Sequence, residues 1–106
     1  MKIRAIRICP GTPPEVVEIE NSLAAMQTEV GGWIEALGLG DRVNAMINED
    51  GLRLNLPFNR YLITPYGPRV VVGTAIVVAH DSEGEAVGLS DDQVERTLMA
   101  AALPVL

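Results

Sequence analysis

The chain has 106 residues, 48% of them apolar and 21% charged, and acidic residues outnumber basic ones 14 to 8 for a net charge of −6. Length sets it at one domain, residues 1–106, and this hydrophobicity excludes a disordered chain. A single cysteine and a single histidine exclude a structural zinc site, a disulfide framework and a haem-attachment motif, while the charge has the wrong sign for neutralising phosphates.

Residues 2–9 read as a strand whose apolar positions change sides, with Ile3 and Ala5 on one face and Ile6 and Ile8 on the other. Either a bulge near Ala5-Ile6 or burial of both faces produces that pattern. Pro10-Gly11-Thr12-Pro13-Pro14 breaks the chain, and residues 15–20 follow as an edge strand. A first helix of roughly fifteen residues begins at the capping residues Asn21-Ser22, with Leu23, Met26, Val30, Trp33, Ile34 and Leu37 spaced by three and four along one face. Gly31-Gly32 would bend this helix, and Gly38 and Gly40 would stop it.

A hairpin is expected next: residues 42–48, a turn at Asn48-Glu49-Asp50-Gly51, and a return through Leu52 to Asn55. Leu56-Pro57-Phe58-Asn59-Arg60 reads as an irregular connection into the strand Tyr61-Leu62-Ile63, and Pro65 with Tyr66-Gly67-Pro68 as a turn. Residues 69–80 form the clearest strand, apolar enough for a central position with both faces covered. After the turn Asp81-Ser82-Glu83-Gly84 and a short segment 85–89, Ser90-Asp91-Asp92-Gln93 fits a capping box. The helix it opens runs to about Leu103, with Val94, Leu98 and Ala101 inward and Pro104 as its stop. The fold class is therefore α+β: a mostly antiparallel sheet of about five or six strands with two helices packed on it.

No residue set points to catalysis, a metal or a cofactor. Cys9 and His80 form the one conceivable nucleophile–base pair, and Ser22, Ser82 and Ser90 occupy cap or turn positions that explain them. Gly31-Gly32 and Gly38-Leu39-Gly40 do not follow a strand and open a helix, as phosphate-binding glycines do. The polar group that stands out is Asn59-Arg60 beside Pro57, together with Glu35 on the expected first helix and Glu49 in the expected hairpin. Arg60, set among aliphatic strands, would bridge a carboxylate such as Glu35 and satisfy loop carbonyls, or would recognise a carboxylate or phosphate on a ligand. Trp33 is either core, by its helical spacing, or an interface contact beside two glycines.

Val30-Gly31-Gly32-Trp33-Ile34-Glu35 resembles the Val-Gly-Gly-aromatic-Ile-Glu signature of a phage and bacterial family without assigned function, domain of unknown function number 3846. Asn48-Glu49-Asp50-Gly51, Leu56-Pro57-Phe58-Asn59-Arg60, Gly73-Thr74-Ala75-Ile76-Val77-Val78 and Leu89-Ser90-Asp91-Asp92-Gln93 resemble it in the same order. The chain departs from the pattern in having Trp33 where the family has tyrosine and Val78-Ala79-His80 where a glycine soon follows the strand. The resemblance implies a cytoplasmic accessory protein, often encoded on phage or mobile elements, and carries over no catalytic residues.

These readings converge on a small non-enzymatic module that binds a protein partner or its own copy, with the apolar tail Leu103, Val105 and Leu106 available for burial. The sequence argues against nucleic-acid partners and offers no apolar run long enough for a membrane helix. Its lone cysteine and lack of a secretory signal fit the cytoplasm. Two alternatives rest on particular features: a small-ligand or phosphate-ester binding domain, conceivably an enzyme, using Glu35, Asn59 and Arg60, and an acidic phage protein that counters host defence.

Overall fold

In the computed structural model, which describes residues 1–102, the elements run β1 (Lys2–Ile8), β2 (Glu15–Glu20), α1 (Leu23–Val30), β3 (Ile34–Gly40), β4 (Val43–Asn48), β5 (Phe58–Thr64), β6 (Gly67–Val72), β7 (Ala75–His80), β8 (Ala86–Val87) and α2 (Asp91–Ala100). The expected helix stop at Pro104 and the tail residues Leu103, Val105 and Leu106 lie outside the described residues. Six strands form one antiparallel sheet in the order β2-β1-β7-β4-β3, with β8 on the end of β7, and β5 and β6 form a separate two-stranded sheet. This is an α+β fold.

Two apolar layers hold the parts together. Ile6, Ile8, Leu37, Val43, Ala45, Ile47 and Val77 on one sheet face pack with Leu62 and Val71 of the β5–β6 hairpin and with Leu89 and Ala101, joined by Val94 and Leu98 of α2. On the opposite face, Ile3, Ala5, Ile19, Ile76 and Val78 pack with Met26 of α1. Ile6, Ile76, Val77 and Val78 are fully enclosed, each aliphatic side chain contributing roughly 1.5–3 kcal/mol of transfer free energy.

This layering explains β1. Its register with β2 is unbroken from Lys2 against Glu20 to Arg7 against Glu15, so there is no bulge, and its apolar residues change sides because α1 covers one face early and the hairpin with α2 covers the other later. The charged residues on β1 lock these layers. Arg4 donates to the Leu89 carbonyl at 2.8 and 2.6 Å and pairs with Asp91 at the start of α2. Arg7 pairs with Glu29 on α1 and Glu15 on β2, and its hydrogen bond to the Glu29 carboxylate holds the guanidinium above its usual range. The Ser90–Gln93 capping box forms as the sequence indicates.

Four sequence expectations are corrected. The first helix ends at Gly31, whose φ of +80° and N–H to Gln27 C=O bond close it, and the expected continuation is strand β3. Ile34 and Leu37, three apart, look like one helical face but point into opposite apolar layers. Gly32 permits the turn to pass close to Asn48: a Cβ there would stand 3.0 Å from the amide nitrogen that donates to Val30 C=O.

The second correction concerns residues 52–55, which do not return as a strand. Asn48 Oδ1 takes the Asp50 N–H, and the chain then coils tightly through Leu54 N–H to Asp50 C=O and Leu56 N–H to Gly51 C=O, leaving β4 to pair with β3 and β7. Third, the long strand 69–80 divides at Gly73 (φ +71°), where the chain leaves the hairpin layer and enters the centre of the main sheet as β7. The fourth correction is that Asn59-Arg60 belongs to β5 and not to an irregular connection.

Candidate functional site

Asn59 is the extra residue of a β-bulge. Phe58 faces Val72 and Arg60 faces Val71, so two residues of β5 stand against one step of β6. The bulge turns consecutive polar side chains inward, and Asn59 and Arg60 are each only 4% exposed. Asn59 Nδ2 donates to the carbonyls of Ile8 (2.9 Å) and Gly73 (2.7 Å), while its Oδ1 accepts from Arg60 Nε at 2.7 Å. Arg60 Nη2 donates to Cys9 C=O at 2.9 Å and Thr12 C=O at 2.6 Å, and Nη1 donates to Ala101 C=O just past α2. Burial pulls the guanidinium below its usual range, and arginine nevertheless stays charged at any pH a protein meets.

Glu35 is not part of this group. It lies on β3 and pairs with Arg69 of β6 at 3.2 Å, half-exposed. The expected Arg60–carboxylate bridge is replaced by bonds to main-chain carbonyls, and among the described residues Arg60 has no ion pair. Glu35, Asn59 and Arg60 therefore do not converge on one concave pocket. Four of the five guanidinium N–H groups already have acceptors inside the protein. The cluster acts as a clasp: it ties the end of β1, the Pro-rich loop, the β6–β7 crossing and the end of α2 to the bulge of β5.

Cys9 and His80 are also apart. Although β1 and β7 are neighbours, their antiparallel register places Cys9 beside Thr74, with Thr74 Oγ1 and Cys9 Sγ 3.9 Å apart. His80 is at the far end of β7, its Nδ1 3.1 Å from the Asn44 amide. The groove between α2 and the hairpin, about 180 Å³, is walled by Leu39, Val43, Leu62 and Thr97. Its charged rim is closed by the Arg96–Asp41 ion pair.

The surface that carries an unsatisfied feature is the outer face of the hairpin. The pairs Phe58–Val72, Tyr61–Val70 and Ile63–Pro68 alternate with Arg60–Val71 and Leu62–Arg69. Of the latter, Arg60, Val71 and Leu62 are buried while half-exposed Arg69 reaches Glu35 at the hairpin edge, so the three outward pairs are all apolar. Phe58, Tyr61 and Ile63 are 55%, 63% and 67% exposed, and the Phe58 and Tyr61 rings meet edge-on with centroids 5.6 Å apart. Leu52, also exposed, lines a shallow depression with Val70 and Val72 and extends the face. Together these side chains expose on the order of 600 Å², at the top of the range for the largest apolar patch of a monomer.

From sequence Tyr61-Leu62-Ile63 reads as a strand and Phe58 as part of an irregular connection, because the bulge shifts the period between Phe58 and Arg60. Trp33 is 68% exposed on the connection from α1 to β3, which replaces its expected place on a core stripe. Its carbonyl accepts the Glu49 N–H, so it sits at the end of the sheet where the 50–55 turn carries Leu52.

The model of a family described as Domain of unknown function (DUF3846) matches residues 1–101. No curated protein and no solved structure matches the chain.

Proposed function

The chain belongs to the DUF3846 family, a domain of unknown function, and we propose that it works as a protein-interaction module docking through the outer face of the β5–β6 hairpin. The observation that carries this reading is the row of outward apolar pairs, Phe58–Val72, Tyr61–Val70 and Ile63–Pro68, with no charged side chain among them. Aromatic residues at the centre and charge only at the rim are the composition of an interface core. The Asn59–Arg60 clasp fixes the hairpin from behind, so the face is presented rigid and little ordering entropy is lost on docking.

Leu52 extends the margin of this face through the depression it lines with Val70 and Val72, and exposed Trp33, bonded through its carbonyl to Glu49 before the 50–55 turn, is proposed as a further contact. Glu35 contributes there through Arg69, as a neutral pair at the rim and not as a ligand-binding carboxylate. The module is proposed as a cytoplasmic accessory protein, supported by its single free cysteine. The phage or mobile-element setting implied by the family resemblance suits a small adaptor of this kind.

The test is site-specific photo-crosslinking in cells, with the photoreactive residue at position 61 or 63 and a control at position 95 on the exposed side of α2. A defined cross-linked species from 61 and 63 and none from 95 is the expected result. Equal labelling from all three positions would remove the hairpin face as the docking surface.

A further inference from the structure

Resting on that reading, we infer that the occupant of the hairpin face is a second copy of this chain, packed face to face about a twofold axis. The first ground is relief. Each outward pair sets a large side chain of β5 beside a smaller one of β6: Phe58 by Val72, Tyr61 by Val70, Ile63 by Pro68. The face is thus a ridge over β5 and a shelf over β6. A twofold axis lying in the interface and running along the strands between β5 and β6 carries each ridge onto the other copy's shelf without shifting it along the strand. Tyr61 of one copy then lies over Val70 of the other, and the reverse contact is made at the same moment, as an isologous interface requires. Two sheets packed this way keep their strands nearly aligned.

The second ground is charge. Two copies of a −6 chain repel wherever their acidic surfaces meet. Acids without an ion pair among the described residues gather elsewhere, at Glu18 on β2, Asp81, Glu83 and Glu85 in the 81–85 turn, and Asp92 and Glu95 on α2, whereas Glu15, Glu20 and Asp91 are paired with Arg7, the N-terminal ammonium and Arg4. The hairpin face carries no acid, and of the charges beside it Glu35 is neutralised by Arg69 at 3.2 Å and Asp50 by Arg53 at 3.3 Å. This leaves Glu49, at the rim of the depression lined by Leu52, Val70 and Val72, as the one carboxylate there without an ion pair among the described residues. A basic partner would be drawn to the acidic surfaces, whereas a copy of this chain can approach through the neutral one. The third ground is area: roughly 600 Å² of exposed apolar side chain per copy, Leu52 at its margin included, together with a polar rim approaches the size of a standard interface of about 800 Å² per partner.

Sedimentation equilibrium of the purified full chain, from about 1 to 500 µM, tests this together with the variants Ile63→Lys, Tyr61→Lys and Tyr61→Phe, each checked for native circular dichroism. The expected result is a mass rising from 11.4 kDa to twice that value. Lysine at either ridge position should weaken the dimer about 100-fold or more, because the twofold axis applies every substitution twice at a central position. Tyr61→Phe should dimerise like the parent. A monomer throughout the concentration range overturns the inference, as does a dimer indifferent to both lysine variants. In the monomer case, cross-links from position 61 to a different protein would leave the interaction reading standing, and their absence would remove both.

Discussion

Replacing Arg60 with methionine keeps a flexible side chain of similar length but deletes the guanidinium that joins four parts of the chain. The carbonyls of Cys9, Thr12 and Ala101 and Asn59 Oδ1 all lose a guanidinium donor. The Cys9 carbonyl keeps the Thr12 N–H and Oγ1, and exposed Thr12 can turn to water, so the acceptors left dry are Ala101 C=O and Asn59 Oδ1. A hydrogen bond from a charged donor contributes about 1.5–3 kcal/mol, and each acceptor left dry costs about 1–3 kcal/mol. Against this, methionine relieves the desolvation of a buried charge that has no carboxylate partner, so the losses do not simply add. The net destabilisation expected is about 3–5 kcal/mol, a large share of the roughly 5–15 kcal/mol available to a domain.

With a urea m-value of about 1–1.5 kcal/mol/M, the midpoint of unfolding should fall by roughly 2–5 M. Arg60→Lys is the informative companion: an ammonium keeps the charge but cannot span Ala101, Cys9 and Thr12 together, so it should recover only part of the loss. Urea titration followed by far-ultraviolet circular dichroism measures both. A methionine variant within about 0.5 M of the parent would refute the clasp, and a lysine variant equal to the parent would show that charge alone is needed there.

Gly31→Ala forces alanine into the left-handed region at the end of α1 and should cost about 1 kcal/mol, a fall of roughly 4–8 °C in Tm; an unchanged Tm would mean α1 does not end there. Ser90→Ala removes the N-cap of α2 and should cost about 1 kcal/mol by the same measurement, whereas Ser90→Asp should stay close to the parent. The N-terminal ammonium beside Glu20 holds that carboxyl below the usual carboxylate range. Its contribution to stability is present above the unfolded-state pKa and is lost as pH falls through the lower folded value. Acetylating the N-terminus should therefore move the Glu20 titration upward in an NMR pH series, and an identical titration would exclude the pairing.

Much of the scaffold could be read from residue patterns because those patterns are local. Ser90 and Gln93 cap a helix through groups three residues apart, and the unbroken apolar run of β7 marks a strand enclosed on both faces. The readings that failed depended on what lies across the fold. Trp33, Ile34 and Leu37 satisfy helical spacing, but a strand covered on both faces also accepts apolar residues at odd and even positions, and only the left-handed turn at Gly31 separates the two. Asn59 and Arg60 break strand alternation because they form a bulge, and a bulge is indistinguishable from a loop until its partner strand is known. The outward row of Phe58, Tyr61 and Ile63 was half legible: alternation along the strand sets Tyr61 and Ile63 apart from Leu62, but nothing local says which side meets the core.

The position of β7 has a further consequence for how the chain assembles. In sequence it comes after three pairs of neighbouring strands, β1–β2, β3–β4 and β5–β6, each joined through local registers. In space it lies between β1 and β4 and joins the first two pairs into one sheet. Until residues 75–80 have been synthesised, those two pairs have no shared hydrogen-bonded strand, and isolated two-stranded ribbons are marginal in water. The nascent chain thus has no stable half: its transition from separate ribbons to a cooperative domain awaits one late strand, and a ribosome-bound chain truncated before Ala75 should be as protease-sensitive as an unfolded one.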